Sequence, residues 1–296
     1  MPFFEKPPVW FTIGTTLSRI SPFSRVNTLR AFSALSGVLL IGTVFLVAYR
    51  TWGLIAGITE WIVLITTNHL FVSNLPGIFS THTLQSADGD ALFVLFILCS
   101  AVLCLGIQHS NSASVGAGIF TGLAVLTKSP LGYIPLLVQT IFIYATEKKG
   151  SKNLIRAWCI SFLLFCCWFI PMGIVYKYDF LSEYVTYHVF KRAIIPIEQH
   201  SESLWFYVTI LFSKQVFLFM EVYILSTLAI LRSKKIFKDR TLLFIWVSSL
   251  CFLVIPTLIQ TKLSWYIFPF YPFAALTISG VVAHVGFFSR FSGKRV

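Results

Sequence analysis

Apolar stretches, most of them roughly 17–25 residues long, follow one another from residue 31 to residue 286, and that is the length a helix needs to cross a hydrocarbon layer. They fall at 31–49, 53–71, 91–107, 113–127, 131–146, 157–175, 215–231, 241–259 and 266–286. Each run is continuous and does not alternate. In lipid every backbone N–H and C=O must be paired inside the structure, so continuous runs read as helices and not as barrel strands. The predicted fold is therefore all-α, a polytopic membrane helix bundle with about nine transmembrane helices, occupying residues 1–296 as one domain. The runs 113–127 and 131–146 are short and separated by Lys128-Ser129-Pro130, which suggests a tight hairpin or a re-entrant pair.

Composition supports this and excludes a soluble domain. Hydrophobic residues make up 56% and charged residues 11% of the chain, whereas soluble domains carry about 25% charged residues. The net charge of +12 would suggest nucleic acid on a soluble protein. Here Lys and Arg sit between apolar runs, so anionic lipid head groups and phosphates are the expected partners and nucleic acid is not. All six cysteines lie within apolar runs without CxxC spacing, and read as packing residues with no disulfide framework and no metal cluster. No cleavable signal peptide is visible in residues 1–12.

The loops alternate between two sides. One holds Arg50, Lys148, Lys149, Lys152, Arg156, Arg232, Lys234, Lys235, Lys238, Arg240, Arg290, Lys294 and Arg295, with only Glu147 and Asp239 as acids. These compact basic clusters, thirteen Lys and Arg against ten on the other side, make it cytoplasmic by the positive-inside rule. The other side, exoplasmic on this reading, collects Glu5, Asp88, Asp90, Asp179, Glu183, Glu198 and Glu202, and carries the longest polar loop, roughly 176–204 by its composition.

Several constellations on that side can carry chemistry. In Glu5-Lys6-Pro7-Pro8 the prolines stiffen the backbone and aim Lys6, a point charge suited to phosphate. Asp90 in Asp88-Gly89-Asp90 stands at a helix start, where a carboxylate caps free N–H groups; the pair could also orient a polar substrate or a divalent cation. Lys128, between two apolar runs, must reach an interface or a wet cavity. His188 and Arg192 lie at i, i+4 in the long loop, and Arg192 suits bidentate phosphate recognition. Lys262 and Tyr266 combine a cation with an aromatic wall. Glu60 and Glu221 are acids within apolar runs, where an ionisable group suggests function, such as pairing with Lys214. No catalytic triad can be assigned from these spacings.

The order of these signals resembles that of the lipid-linked-sugar glycosyltransferases of the protein mannosyltransferase and aminoarabinose (lipid A) transferase superfamily, along most of the chain. Phe4-Glu5-Lys6-Pro7-Pro8 is similar to the family's FEKPP corner, and Arg25 to Ser33 to its R-L-P-S-A helix entry. Asp90-Ala91-Leu92 is similar to its loop aspartate, and Gly122 to Lys128 to GLAVLTKGP. His188 to Arg192, followed by Gln199-His200 and Trp205-Phe206-Tyr207, resembles the H…R…QH…WWYY loop, and Lys262 to Pro272 resembles KLPHYLLPLYP. Departures are Ser264-Trp265 for Pro-His, Ser129 for Gly, and no Pro-Trp near Phe217-Leu218.

The resemblance implies a GT-C-like bundle in a bacterial inner membrane, with its site at the exoplasmic face. There a sugar passes from a polyprenyl-phosphate donor to a lipid A, protein or glycan acceptor. Lys6 and Arg192 would contact the carrier phosphate, with Lys128 and His188 also on the substrate. Glu5 and Asp90 would shape the polar cavity as the catalytic acids, and Lys262 with Tyr266 would form its wall. A divalent cation is a possible cofactor. The family's first helix and the acidic loop after it, thought to supply the base, would precede residue 1, and a soluble C-terminal domain has no counterpart. The expectation is therefore a chain incomplete at its N-terminus and impaired in transfer. A transporter or flippase of lipid-linked saccharides, and a non-catalytic membrane subunit, are the competing readings.

Overall fold

The computed structural model describes residues 4–71, 82–145, 150–197, 200–213 and 216–285. Among the described residues thirteen α-helices follow in order: α1 Val9–Ile20, α2 Arg25–Trp52, α3 Leu54–Ile65, α4 Asp90–Gly106, α5 Asn111–Thr127, α6 Ile134–Ala145, α7 Ser151–Phe180, α8 Arg192–Ile194, α9 Phe206–Leu211, α10 Phe217–Arg232, α11 Lys234–Phe237, α12 Arg240–Leu258 and α13 Phe270–Val285. Among the described residues there is no strand, only an isolated antiparallel bridge between Ser201 and Thr261. The protein is an integral membrane helix bundle. The segments Arg25–Trp52, Ser151–Ile194, Arg240–Leu258 and Ser264–Val285 are long and apolar enough to cross a membrane, and four shorter apolar helices accompany them.

Local signals set the helix ends. Ser24 accepts from the Asn27 amide to start α2, Ser110 from that of Ala113 to start α5, and Asp239 from that of Leu242 at 3.0 Å to start α12. A side-chain oxygen at these positions satisfies an amide that the helix itself leaves unpaired. The 53–71 run stops being α-helical after Ile65. Asn68–Leu70 forms a single 3₁₀ turn, and His69 Nδ1 lies 2.6 Å from the Tyr271 hydroxyl in the core.

The centre of the bundle is α13, whose residues from Phe270 to Val281 are all buried. It packs on α12, α3, α10 and α2, while α4 packs on α2, α5 and α6, and α5 on α7. Buried hydroxyl pairs tie helices together: Ser100–Thr121 at 2.6 Å joins α4 to α5, and Tyr223–Ser249 at 2.7 Å joins α10 to α12. The outward side of α7 (Phe162, Leu163, Ile170, Ile174, Val175) is exposed. On a membrane span such a face is covered by acyl chains, which are as apolar as the side chains themselves.

Two elements differ from expectation. α1 has no counterpart among the anticipated spans, because only Trp10 and Gly14 of its residues are buried. The stretch 176–204 is not an open loop: α7 continues through a break at Lys177 (φ 45°, ψ −121°) into a π-helix, Leu181–Lys191, and then α8. Aromatic packing overrides its polar composition, since Phe180 and Tyr184 stack at 5.5 Å and Trp168 meets both edge-on. Lys148, Lys149, Glu147, Glu198, Gln199, Lys214, Arg290, Lys294 and Arg295 lie outside the described residues.

Candidate functional site

One end of the bundle holds a cavity of about 490 Å³. The N-terminal segment enters it because Phe4 is buried against Tyr176 and Phe180, with ring centres 5.0 and 5.8 Å away. That peg fixes Glu5 and Lys6 at the cavity wall. The segment from His82 to Gly89 is docked by the Leu84 amide on the Leu70 carbonyl (2.8 Å) and by Ser33 of α2 on the Asp88 carbonyl (3.3 Å). It delivers His82 and Asp90. Lys128 stands where α5 ends, and the π-helix with α8 supplies His188 and Arg192. The 3₁₀ turn Ser264–Ile267 supplies Trp265 and Tyr266.

Asp90 is the hub, and it is 3% exposed. The sequence suggests that its carboxylate caps α4. Instead the Asp88 carboxylate takes that role, accepting the Asp90 amide at 2.9 Å. The Asp90 side chain is thereby free for two other partners. Lys128 forms an ion pair with Oδ1. His82 Nδ1 lies 2.7 Å from Oδ2, and 3.4 Å from the Asp88 carboxylate. The His82 ring lies flat on the Trp265 indole, centres 3.7 Å apart at 13°. Arg192 donates to the Tyr266 hydroxyl at 3.3 Å, and Lys128 faces the Tyr266 ring at 5.8 Å.

Burial sets the protonation states. Desolvation pulls His82 down to about 4; Asp88 opposes this, while Lys128 and Lys6 add to it, so the imidazole is neutral at pH 7. Desolvation raises Asp88 to about 6 against the pull of His82, Lys128 and Lys6. Desolvation also lowers the Lys128 ammonium, with Asp88 opposing and Lys6 and Arg192 assisting. Cations gathered on one cavity wall are a poised anion receptor, because each favours an incoming negative charge.

The lining joins charged and apolar side chains. Val94 lies one helical turn beyond Asp90 on α4, and Leu137 of α6 and Ile255 of α12 also line the cavity. A cavity with both kinds of lining suits a ligand with an ionic head and a hydrocarbon tail.

Seven of the eight candidates read from the sequence border this cavity: Glu5, Lys6, Asp90, Lys128, His188, Arg192 and Tyr266. Lys262 does not. Its ammonium is buried among the carbonyls of Pro256, Thr257 and Ile259, closing the C-terminal end of α12. A cation there satisfies orphan carbonyls and complements the helix dipole. Its backbone amide binds the His200 carbonyl at 3.2 Å, and the Thr261 amide binds that of Arg192 at 3.2 Å, so this strand-like stretch braces the Arg192 segment. His82 and Trp265 carry site geometry that the sequence did not reveal. His82 belongs to no motif, and Trp265 reads as one aromatic among several.

A divalent cation does not fit the residues present. His82, Asp88 and Asp90 bring ligand atoms within 4.8 Å of one another, but the Lys128 ammonium already sits on Asp90. Of the two acids within apolar runs, Glu221 is exposed, and Glu60 is buried away from the cavity.

Fold and site together define a polytopic helix bundle with a charged cavity at one end. Compared with protein-family models and with curated proteins, the chain finds no match. Solved structures do match. ArnT from Cupriavidus metallidurans bound to undecaprenyl phosphate aligns at TM-score 0.76 and 21% identity, over 98% of this chain and 52% of that one. Apo ArnT from the same organism gives 0.74 and 20%, over 98% and 51%. The archaeal oligosaccharyltransferase AglB from Archaeoglobus fulgidus, in complex with an inhibitory peptide and a dolichol-phosphate, gives 0.59 and 15%, over 96% and 42%. The resemblance read in the sequence thus holds at the level of fold, and the chain spans about half the length of the ArnT structures it matches.

Proposed function

We propose that this protein transfers a sugar from a polyprenyl-phosphate carrier to a hydroxyl of lipid A, a protein or a glycan, at the exoplasmic face of a bacterial inner membrane. The observation that carries this reading is one cavity lined by Lys6, Lys128 and Arg192 together with apolar side chains, in a fold shared with a protein solved with undecaprenyl phosphate bound. When the bond between sugar and carrier breaks, negative charge grows on the carrier phosphate. Fixed cations in a water-poor pocket stabilise that charge more in the transition state than in the ground state. Arg192, braced by Tyr266, and Lys6, pegged by Phe4, fit that role.

A transporter would place its polar groups near mid-membrane on broken helices. Here they gather at one end of the bundle, which favours the enzyme. The test is titration of the purified protein with undecaprenyl phosphate. Lys6→Ala and Arg192→Ala should each weaken binding about tenfold or more, since a charged hydrogen bond contributes about 1.5–3 kcal/mol. Unchanged binding in both variants would remove the assignment.

A further inference from the structure

We infer that His82 is the base that takes the acceptor's proton, with Asp90 holding its tautomer and Trp265 fixing its plane. The inference rests on the sugar-transfer reading above and assigns the half of the reaction that the cations leave open. A hydroxyl is a poor nucleophile until a group within hydrogen-bond reach removes its proton.

Three observations single out His82. Its Nδ1 is bonded to Asp90 at 2.7 Å and lies 3.4 Å from Asp88, so the ring proton belongs on Nδ1, and Nε2 keeps its lone pair. Nε2 has no hydrogen-bond partner among the described residues, and the ring borders the cavity with the side chain 18% exposed. The flat stack on Trp265, which borders the same cavity, prevents the ring from turning its lone pair away. Burial keeps the imidazole neutral, as a base must be before it acts. Two carboxylates beside Nδ1 then stabilise the imidazolium that forms, which is the orienting role an acid plays behind a catalytic histidine. Lys128 pairs with the other oxygen of Asp90 and so holds the carboxylate in place behind the ring.

The step balances. The acceptor O–H proton passes to Nε2 of His82 while the hydroxyl oxygen forms a bond to the anomeric carbon. The bond from that carbon to the carrier phosphate oxygen breaks. Its electron pair leaves with the polyprenyl phosphate, whose charge meets Lys6 and Arg192. The imidazolium then returns its proton to water. Glu5 borders the same cavity and is the rival base, but no hydrogen bond among the described residues fixes its carboxylate.

The experiment uses the full chain in lipid nanodiscs. Donors are undecaprenyl-phosphate-linked pentose and hexose, acceptors are lipid A and water, and release of undecaprenyl phosphate is followed. His82→Gln should lower turnover roughly 10²–10⁴-fold, the usual contribution of a general base, with undecaprenyl phosphate affinity unchanged. His82→Ala should recover activity when imidazole is added, which a merely structural defect would not allow. Wild-type turnover in His82→Gln overturns the proposal, as does loss of turnover in Glu5→Gln alone. If the wild type binds undecaprenyl phosphate but does not turn over, the base assignment falls and the carrier-binding reading stands. If it does not bind, that reading falls and this one with it.

Discussion

Lys128 and Asp90 form a largely buried ion pair, and a pair of that kind is asymmetric in its energetics. Removing one partner leaves the other buried and uncompensated, which costs about 3–5 kcal/mol, whereas removing both can be close to neutral. Lys128→Met should therefore lower Tm sharply, and the double variant Lys128→Met with Asp90→Asn should regain most of the loss. If the single variant is as stable as the wild type, the pair does not exist in solution. Glu60 offers the opposite case. It is 0% exposed on α3, and neither carboxyl oxygen has a hydrogen-bond partner among the described residues. A buried polar group without a partner costs about 1–3 kcal/mol. Glu60→Leu should accordingly raise Tm, read by a thermal melt in detergent. A lower Tm would mean that Glu60 meets a partner the structure does not show.

Among the helices, α5 and α7 approach closely because two glycines one turn apart face the seam. A Cβ on Gly118 would lie 2.7 Å from the Ala157 carbonyl oxygen, and one on Gly122 would lie 2.8 Å from Leu164. Small residues at such spacing let membrane helices touch backbone to backbone. Gly118→Val should destabilise by about 1–3 kcal/mol, the usual cost of overpacking. Gly42→Ala, where nothing lies within 4 Å, should not lower stability. Equal melting temperatures for the two variants would deny the close approach. The sequence could not announce this seam, since Gly122 was legible only as part of a motif. It did place the long helices within a few residues, because lipid length and continuous apolarity leave a chain little choice. It failed where tertiary packing decides. The segment 181–191 looks like a loop by composition, and it is helical only because Phe180 and Tyr184 stack against Trp168 on α7. Most of the site was legible as isolated charges near apolar runs. The hub arrangement was not, because His82 reaches Asp90 across eight residues of irregular chain and Trp265 arrives from the far end of the sequence.

For the molecule as a whole, polarity divides by end. The helix α12 starts at Arg240, beside the exposed Arg232, Lys234, Lys235 and Lys238, and ends at Leu258, close to Ile255 and Ile259 of the cavity wall. Its 19 residues span about 28 Å at 1.5 Å each, close to the hydrocarbon thickness. The basic turn and the cavity therefore stand on opposite sides of the membrane. Asp239, the one acid of that turn, is drawn inward onto the Trp52 indole N–H (2.9 Å), the Leu242 amide (3.0 Å) and His284 (3.4 Å). What remains outside is uniformly cationic, and such a face is retained on the cytoplasmic side during insertion. The proposed reaction needs that same orientation, and it can be tested without reference to the chemistry. With the native cysteines replaced by serine, a single cysteine at Lys235 should resist a membrane-impermeant maleimide added to cells whose outer membrane has been permeabilised. One at the exposed Lys177, at the cavity end, should label fully under the same conditions, and both should label after the inner membrane is opened. The reverse pattern would invert the protein in the membrane. It would put the cavity on the cytoplasmic side, where an exoplasmic acceptor cannot reach it, and the proposed reaction would fail on topology alone.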